Sequence, residues 1–213
     1  MPTLAVIACG ALAGHVRDIA ARRRWPVEVH PLPASLHNRP ERIAPAVTDL
    51  ARSLRGRGLR VALGYADCGT YGALDELCAE LHISRLAGLH CYDVLGGAER
   101  VRSLLEREPG TYLLTDYLVR SFERTVLAGL GLDRHPQLWT DYFGHYRRLV
   151  WLAQERDAEL DSRAAAIAAQ FGLPMRIVDV GTSGLERELA TLLDEGGDGR
   201  VERSSPGKFP DQS

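Results

Sequence analysis

Short apolar segments alternate along this chain with longer segments in which apolar residues recur at helical spacing. The short segments predict strands at residues 3–8, 27–32, 60–65, 83–89, 111–115 and 175–180. Alternating strands and helices are typical of an α/β fold whose strands run mainly parallel. We therefore expect a mainly parallel sheet of about five or six strands with flanking helices.

The domain organisation follows from where this alternation stops. Residues 116–171 have a largely helical pattern and predict a helical cap or subdomain inserted before the last strand. After residue 195 the composition shifts to Gly, Ser, Pro and charged residues, which predicts a disordered tail over residues 196–213. Residues 1–195 are expected to form a single α/β domain.

Composition narrows the class of protein. Hydrophobic residues make up 45% and charged residues 25% of the 213 residues, as in ordinary globular proteins. A net charge of −2 gives no electrostatic reason to expect nucleic-acid binding. The longest apolar runs are too short to cross a bilayer, and the N-terminus has no signal-like segment. We therefore expect a cytoplasmic protein that binds neither nucleic acid nor membrane.

Three of the four cysteines occupy equivalent positions. Cys9, Cys68 and Cys91 each follow a predicted strand and precede a predicted helix. The carboxyl ends of parallel strands form the ligand crevice of open α/β sheets, so the three thiols are expected to converge there. Nearby helix N-termini are expected to lower their pKa. Cys78 lies within a helix beside leucines and is expected to belong to the core.

Three thiolates and the adjacent His90 form a donor set for a soft metal: zinc, or iron, an iron–sulfur centre included. Buried packing explains the cysteines equally well, because cysteine is among the most buried residue types. A third interpretation is a metal-free hydrolase or transferase with Cys68 or Ser183 as nucleophile, although Ser183 lacks the usual GxSxG setting.

Acidic residues also follow predicted strands. Asp67 adjoins Cys68, and we expect it to act with His90 as an acid/base pair. Helix capping is the alternative explanation and is the stronger one for Asp116.

Polar residues near the same sheet edge are candidates for binding an anionic or polar small molecule. The candidate substrate-binding residues are His37, Asn38, Arg39, Thr70, Asp116, Arg134 and His135.

Six separated motifs also carry a resemblance to a known family. They are Ala-Cys-Gly-Ala-Leu (8–12), Leu-His-Asn-Arg-Pro (36–40), Gly-Tyr-Ala-Asp-Cys-Gly-Thr (64–70), Leu-His-Cys-Tyr (89–92), Glu-Pro-Gly-Thr-Tyr-Leu-Leu-Thr-Asp (108–116) and Gly-Leu-Gly-Leu-Asp-Arg-His-Pro (129–136). Together they resemble the domain of unknown function 1638 family over roughly residues 3–193.

The resemblance implies a metabolic setting rather than a reaction. Members of this family tend to be encoded beside corrinoid-dependent methyltransferases. The expected function is therefore that of a metal-thiolate enzyme, or enzyme component, acting on a small molecule in one-carbon or methyl-group metabolism. Corrinoid would be met only through a partner, a corrinoid protein or a methyltransferase. The alternative is a non-catalytic accessory or carrier protein for such a system.

Overall fold

A computed structural model describes residues 3–195 of the chain. The predicted α/β fold with parallel strands is confirmed in this part of the chain. None of the helices between residues 3 and 195 has the length and apolar character needed to span a membrane. The tail predicted for residues 196–213 lies outside the described residues.

The first half of the fold is a parallel sheet with the strand order β2–β1–β3. Its strands are β1 (Leu4–Cys9), β2 (Val27–Leu32) and β3 (Arg60–Gly64). The central strand β1 is an unbroken apolar run that is buried along its whole length, as expected of a strand covered on both faces. The helices that follow β1, β2 and β3 are α1 (Ala13–Arg23), α2 (Ile43–Gly56) and α3 (Ala73–Leu81).

The second half is another parallel sheet, with the order β4–β5–β6. Its strands are β4 (Thr111–Thr115), β5 (Arg148–Ala153) and β6 (Met175–Asp179). The connections within it contain α6 (Asp116–Phe122), a π-helical turn (Glu123–Leu127), α7 (Trp139–Phe143) and α8 (Ala158–Phe171).

Three further helices join the two halves: α4 (Cys91–Gly96), α5 (Ala98–Arg107) and α9 (Ser183–Glu195). Val101 and Leu104 of α5 pack against apolar residues of β4 and β5. Helix α9 follows the second sheet but buries Leu185, Leu189 and Leu192 in the core of the first half. Because α9 packs in the core of the first half and α5 packs against the second sheet, these helices connect the two halves.

The number of sheets differs from the prediction. Within residues 3–195 the strands form two sheets of three strands each, instead of the single sheet of five or six strands that was expected. Of residues 83–89 only Arg85 forms a β-bridge, to Leu63. Beyond it the segment follows the turn after β3, where the N–H groups of Asp67 and Cys68 donate to the carbonyl oxygens of Gly88 and Leu89, and it does not continue as a strand.

The predicted helical insertion at residues 116–171 contains strand β5. Its run Leu-Val-Trp-Leu-Ala has no periodicity that distinguishes a buried strand from a buried helix, which explains the error. The segment is therefore not a continuous helical cap.

Candidate functional site

A cavity of about 850 Å³ lies at the carboxyl ends of the strands, between the two halves. Open parallel sheets carry their ligands at this edge. Five of the residues predicted from the sequence line the cavity, all from the first half: His37, Asn38, Cys68, His90 and Cys91. The opposite wall comes from β4, α6 and the π-helical turn, and its polar side chains are Tyr112, Thr115, Tyr117, Arg124 and Thr125.

Cys9 is the last residue of β1 and lies behind the cavity wall that the first half forms. Its thiol contacts the His37 imidazole. The Cys9 Sγ atom lies 3.8 Å from Nε2 of His37, and Nδ1 of the same ring lies 2.9 Å from the carbonyl oxygen of Ala34. A carbonyl oxygen only accepts hydrogen bonds, so Nδ1 carries the hydrogen and the Nε2 lone pair of the neutral ring faces the thiol. Burial lowers the pKa of His37, which favours this neutral form.

Gly10 allows the exits of β1 and β2 to come this close. A Cβ atom at Gly10 would lie 2.8 Å from the carbonyl oxygen of Leu32 and 2.9 Å from the backbone nitrogen of Ala34. Any larger residue would displace the loop that carries His37. The glycine directly after Cys9 therefore has a steric role in building the Cys9–His37 contact.

The turn after β3 presents Cys68 to the cavity. The Asp67 carboxylate accepts hydrogen bonds from the Thr70 hydroxyl (2.8 Å) and from the backbone N–H groups of Gly72 (2.9 Å) and Tyr71 (3.2 Å). Partial burial opposes ionisation of Asp67, but these hydrogen bonds outweigh it and hold its pKa below the usual value. Cys68 itself has a φ of +54°, a conformation that costs a non-glycine residue about 1 kcal/mol or more.

Asp67 and Thr70 therefore build the turn that holds Cys68, and neither side chain lines the cavity. Their expected roles in acid/base chemistry and in substrate binding stay predictions.

A second loop brings His90 and Cys91 beside this turn. The backbone N–H of Cys68 donates to the carbonyl oxygen of Leu89 over 2.7 Å, which joins the two segments. The N–H groups of Leu89 and His90 both donate to Asp93, at 2.8 and 3.1 Å, and fix the start of α4. Cys91 is the first residue of α4 and lines the cavity together with His90.

Tyr65 is a residue of this site that sequence reasoning did not single out. Its side chain is fully buried, its ring stacks on His37 with centroids 6.3 Å apart, and its hydroxyl has no hydrogen-bond partner within residues 3–195. A buried hydroxyl without a partner costs about 1–3 kcal/mol, so such atoms call for an explanation. The hydroxyl interacts electrostatically with Cys9 and Cys68, and a ligand bound among these groups would supply its missing partner.

The expected lowering of the thiol pKa values is wrong. Burial raises the pKa of Cys9 to about 11 and that of Cys68 to about 12, and it also raises the pKa of Cys91 well above its usual value. Hydrogen bonds from backbone N–H groups act in the opposite direction on Cys9, but the loss of hydration is larger. The thiols are therefore protonated at neutral pH.

The arrangement of the donors decides whether a metal ion fits. Within residues 3–195, no group of three or more His, Cys, Asp or Glu side chains is arranged to hold one. The chemistry of the set nevertheless suits a soft ion: three thiols, an imidazole lone pair and an unpaired hydroxyl. The thiols influence one another electrostatically, so they lie in one neighbourhood. Coordination would require rotation of these side chains from the arrangement seen.

Asp116 serves the second half as a hydrogen-bond acceptor. Its carboxylate is 2% exposed and accepts from the Trp151 indole (2.9 Å) and from the backbone N–H groups of Gln154 (3.1 Å) and Glu155 (2.7 Å). Asp116 thereby joins the exits of β4 and β5, and it does not line the cavity. Its expected contact with substrate stays a prediction.

The predicted anion-binding residues lie elsewhere. Arg39, Arg134 and His135 do not line the cavity, and the Arg134 side chain is 74% exposed beside Asp133. Arg124 lines the cavity instead. It belongs to the π-helical turn, for which the sequence carries no recognisable signal.

Comparison with known proteins gives one match. A family model described as "Protein of unknown function (DUF1638)" matches residues 31–189. Neither the curated proteins nor the solved structures contain a match to this chain.

Proposed function

The chain belongs to the DUF1638 family, and we propose that it is a metal-thiolate enzyme, or enzyme component, acting on a small molecule in one-carbon or methyl-group metabolism. The observation that carries the proposal is the proximity of Cys9 to the cavity-lining Cys68 and Cys91, beside an imidazole lone pair and a hydroxyl without a partner in residues 3–195. Sulfur ligands of this kind select zinc or iron.

The raised thiol pKa values favour this proposal over a free nucleophilic cysteine. Only the thiolate is nucleophilic, and burial keeps Cys68 and Cys91 protonated at neutral pH. A metal ion displaces such protons when it binds, so the same thiols can serve as ligands. A bound zinc or iron ion would supply a Lewis acid with an open position for a thiol or a water molecule.

The protein's own residues would have distinct tasks around that ion. His37 offers its Nε2 lone pair while the carbonyl oxygen of Ala34 holds its other nitrogen, the arrangement usual for a ligating histidine. His90 is exposed and lines the cavity, which suits the proton-transfer role expected for it. Asp67 fixes the turn and thereby the position of Cys68.

Metal analysis of protein purified without oxygen tests the proposal. We expect about one zinc or iron ion per chain, the number a single closed ligand set holds. The metal should be lost in Cys68→Ser. Cys78→Ser is the matched control, because Cys78 lies in α3 and does not line the cavity. Full metal occupancy in both Cys9→Ser and Cys68→Ser would overturn the proposal, and an optical spectrum distinguishes iron from zinc.

A second candidate function is that of an accessory or carrier protein for a corrinoid methyltransferase system. Two exposed apolar side chains favour it: Tyr71 is 98% exposed and Leu89 is 51% exposed. They lie on the two loops that the Cys68–Leu89 backbone hydrogen bond joins, beside the cavity. Exposed aromatic and aliphatic side chains next to a site are typical of partner surfaces.

Binding to a purified corrinoid protein and its methyltransferase tests this candidate. We expect Tyr71→Ser and Leu89→Ser to weaken binding at least about tenfold, the effect of losing a well-packed interface side chain. Tyr142→Ser is the matched control, since Tyr142 is 41% exposed but lies on α7 in the other half. Absence of binding, or equal loss in all three variants, would rule the candidate out.

A further inference from the structure

We propose that the cavity selects an organic anion and that Arg124 binds its carboxylate or phosphate group. The inference names the substrate class of the proposed function and uses the same cavity. It rests on the charges that line the cavity, on the unengaged guanidinium of Arg124 and on the π-helical turn that carries it.

The first observation is the sign of the charges. Within the part of the chain that the structure describes, none of the residues lining the cavity is acidic, and Arg124 is the one Arg or Lys among them. His37 and His90 are the other titratable nitrogen bases of the lining. A cavity whose only permanent charge is positive attracts anions, although the whole chain has a net charge of −2.

The second observation is that the guanidinium of Arg124, an exposed residue, has no ion-pair or hydrogen-bond partner among residues 3–195. Its neighbour on the previous turn, Arg120, lies 3.6 Å from Asp157. The neighbouring Thr125 hydroxyl already donates to the carbonyl oxygen of Ser121 over 2.8 Å. The Arg124 guanidinium therefore offers free, permanently charged donors on this wall, and a guanidinium matches the two oxygens of a carboxylate or phosphate group.

The third observation is the backbone that carries Arg124. The N–H of Ala128 donates to the carbonyl oxygen of Glu123 over 2.8 Å, so the turn closes over five residues rather than four. Three successive residues of this turn, Arg124, Thr125 and Val126, line the cavity. Single π-helical turns inside helices occur frequently at functional sites.

The remainder of the lining indicates how the ligand lies. Tyr112 and Leu130 line the cavity on the side of Arg124, and the Tyr112 ring is held by Tyr146 at a centroid distance of 5.0 Å. An apolar ligand body fits against such side chains. Cys68 and Cys91 lie on the opposite wall. The ligand would therefore bridge the halves, with its anionic group at Arg124 and its reacting end toward the thiols.

Calorimetric titration with three small probes tests the inference: phenylacetate, phenyl phosphate and the neutral phenylacetamide. We expect the two anions to bind at about millimolar concentration or tighter, and the amide at least about tenfold more weakly. In Arg124→Gln the affinity for the anions should fall about tenfold or more. Arg134→Gln is the matched control, because Arg134 does not line the cavity, and it should bind as the wild type does.

Three results would overturn the inference: equal affinity for the anions and the amide, unchanged anion affinity in Arg124→Gln, or no binding of either anion. Metal analysis of the same samples separates this outcome from that of the proposed function. If Cys68→Ser loses the metal but Arg124→Gln binds the anions as the wild type does, the metal site is retained and the anion subsite is excluded. If the protein holds no metal but binds the anions only when Arg124 is present, the anion subsite is retained and the metal site is excluded.

Discussion

The two halves of the fold place different chemistry at the same structural position, the carboxyl end of a parallel sheet. In the first half the strands lead to the protonated thiols of Cys9 and Cys68, to a positive φ at Cys68 and to a Tyr65 hydroxyl that has no hydrogen-bond partner among the described residues. In the second half they lead to Asp116, whose carboxylate is buried and accepts three hydrogen bonds. Strained and unsatisfied groups persist where function requires them, whereas satisfied buried groups support the structure.

The cores of the two halves differ in the type of side chain that fills them. The first core is mainly aliphatic, while the second contains a cluster of aromatic rings around Phe143, with Tyr112 and Phe171 within 5.7 and 4.8 Å of it. Tyr112 belongs both to this cluster and to the cavity wall. The second half thus places an aromatic wall opposite the thiols and histidines of the first half.

The largest expected effect is on stability, in a comparison of Asp116 with Asp67, whose carboxylates each accept three hydrogen bonds. Asp116→Ala leaves the donors of Trp151, Gln154 and Glu155 unpaired in a buried site, and we expect a loss of about 3–5 kcal/mol in the free energy of unfolding. Asp67→Ala affects a more exposed turn and should cost about 1 kcal/mol. Urea denaturation measures both, and equal losses would contradict the contrast between the halves.

The next effect concerns pH and belongs to the first half. In the unfolded chain a thiol ionises near its ordinary pKa of 9.0, whereas folded Cys9 keeps its proton up to about pH 11. Above pH 9 the unfolded state therefore binds fewer protons, and stability falls as pH rises, by about 1.4 kcal/mol per pH unit for each such thiol. Below pH 9 these thiols contribute no pH dependence.

Urea denaturation between pH 8 and pH 10, with a chelator present, measures this effect. Tyrosine, with an ordinary pKa of about 10, also begins to ionise in the unfolded chain within this range, so the thiol effect is taken from the difference between the wild type and Cys9→Ser, in which the tyrosine contribution is the same. Cys9→Ser removes one titrating group and should flatten the curve. A wild-type stability that is constant across this range would contradict the assigned protonation of the thiols.

A smaller effect separates function from stability at Tyr65. Tyr65→Phe removes a buried hydroxyl that has no partner within residues 3–195, so we expect the metal-free protein to gain about 1 kcal/mol in stability. If the hydroxyl contacts the ligand, the same variant should bind metal more weakly. Thermal unfolding and metal titration measure the two quantities. A clear loss of stability would show that the hydroxyl is already satisfied.

The smallest expected effect is at the exposed Tyr71, where φ is +52°. Tyr71→Gly relieves an unfavourable backbone conformation, and we expect a gain of about 0.5–1 kcal/mol in the free energy of unfolding. Tyr142→Gly is the control, because the same change within α7 should cost about 0.5–1 kcal/mol. Equal effects of the two variants would show that the turn at Tyr71 is not strained.

Local pattern was sufficient to locate most of the strands and the turns that follow them. The bounds predicted for β2 and β4 are those of the structure. Cys9 ends β1 and Cys68 lies in the turn after β3, whereas Cys91 begins α4 without the strand that was predicted before it. An apolar run bounded by turn residues has its signal within a few residues of the chain, so the sequence alone determines it. The same holds for Asp67, whose partners lie within five positions.

Tertiary structure decided everything that depends on residues distant in sequence. Two sheets form instead of one because strand pairing depends on how the helices pack, as when α9 returns to the first core. The thiol pKa values rise because the surrounding chain removes water, an effect larger than that of the local backbone N–H groups. Likewise, the π-helical turn and the packing of the second half, rather than any motif, place Arg124 on the wall opposite Cys68.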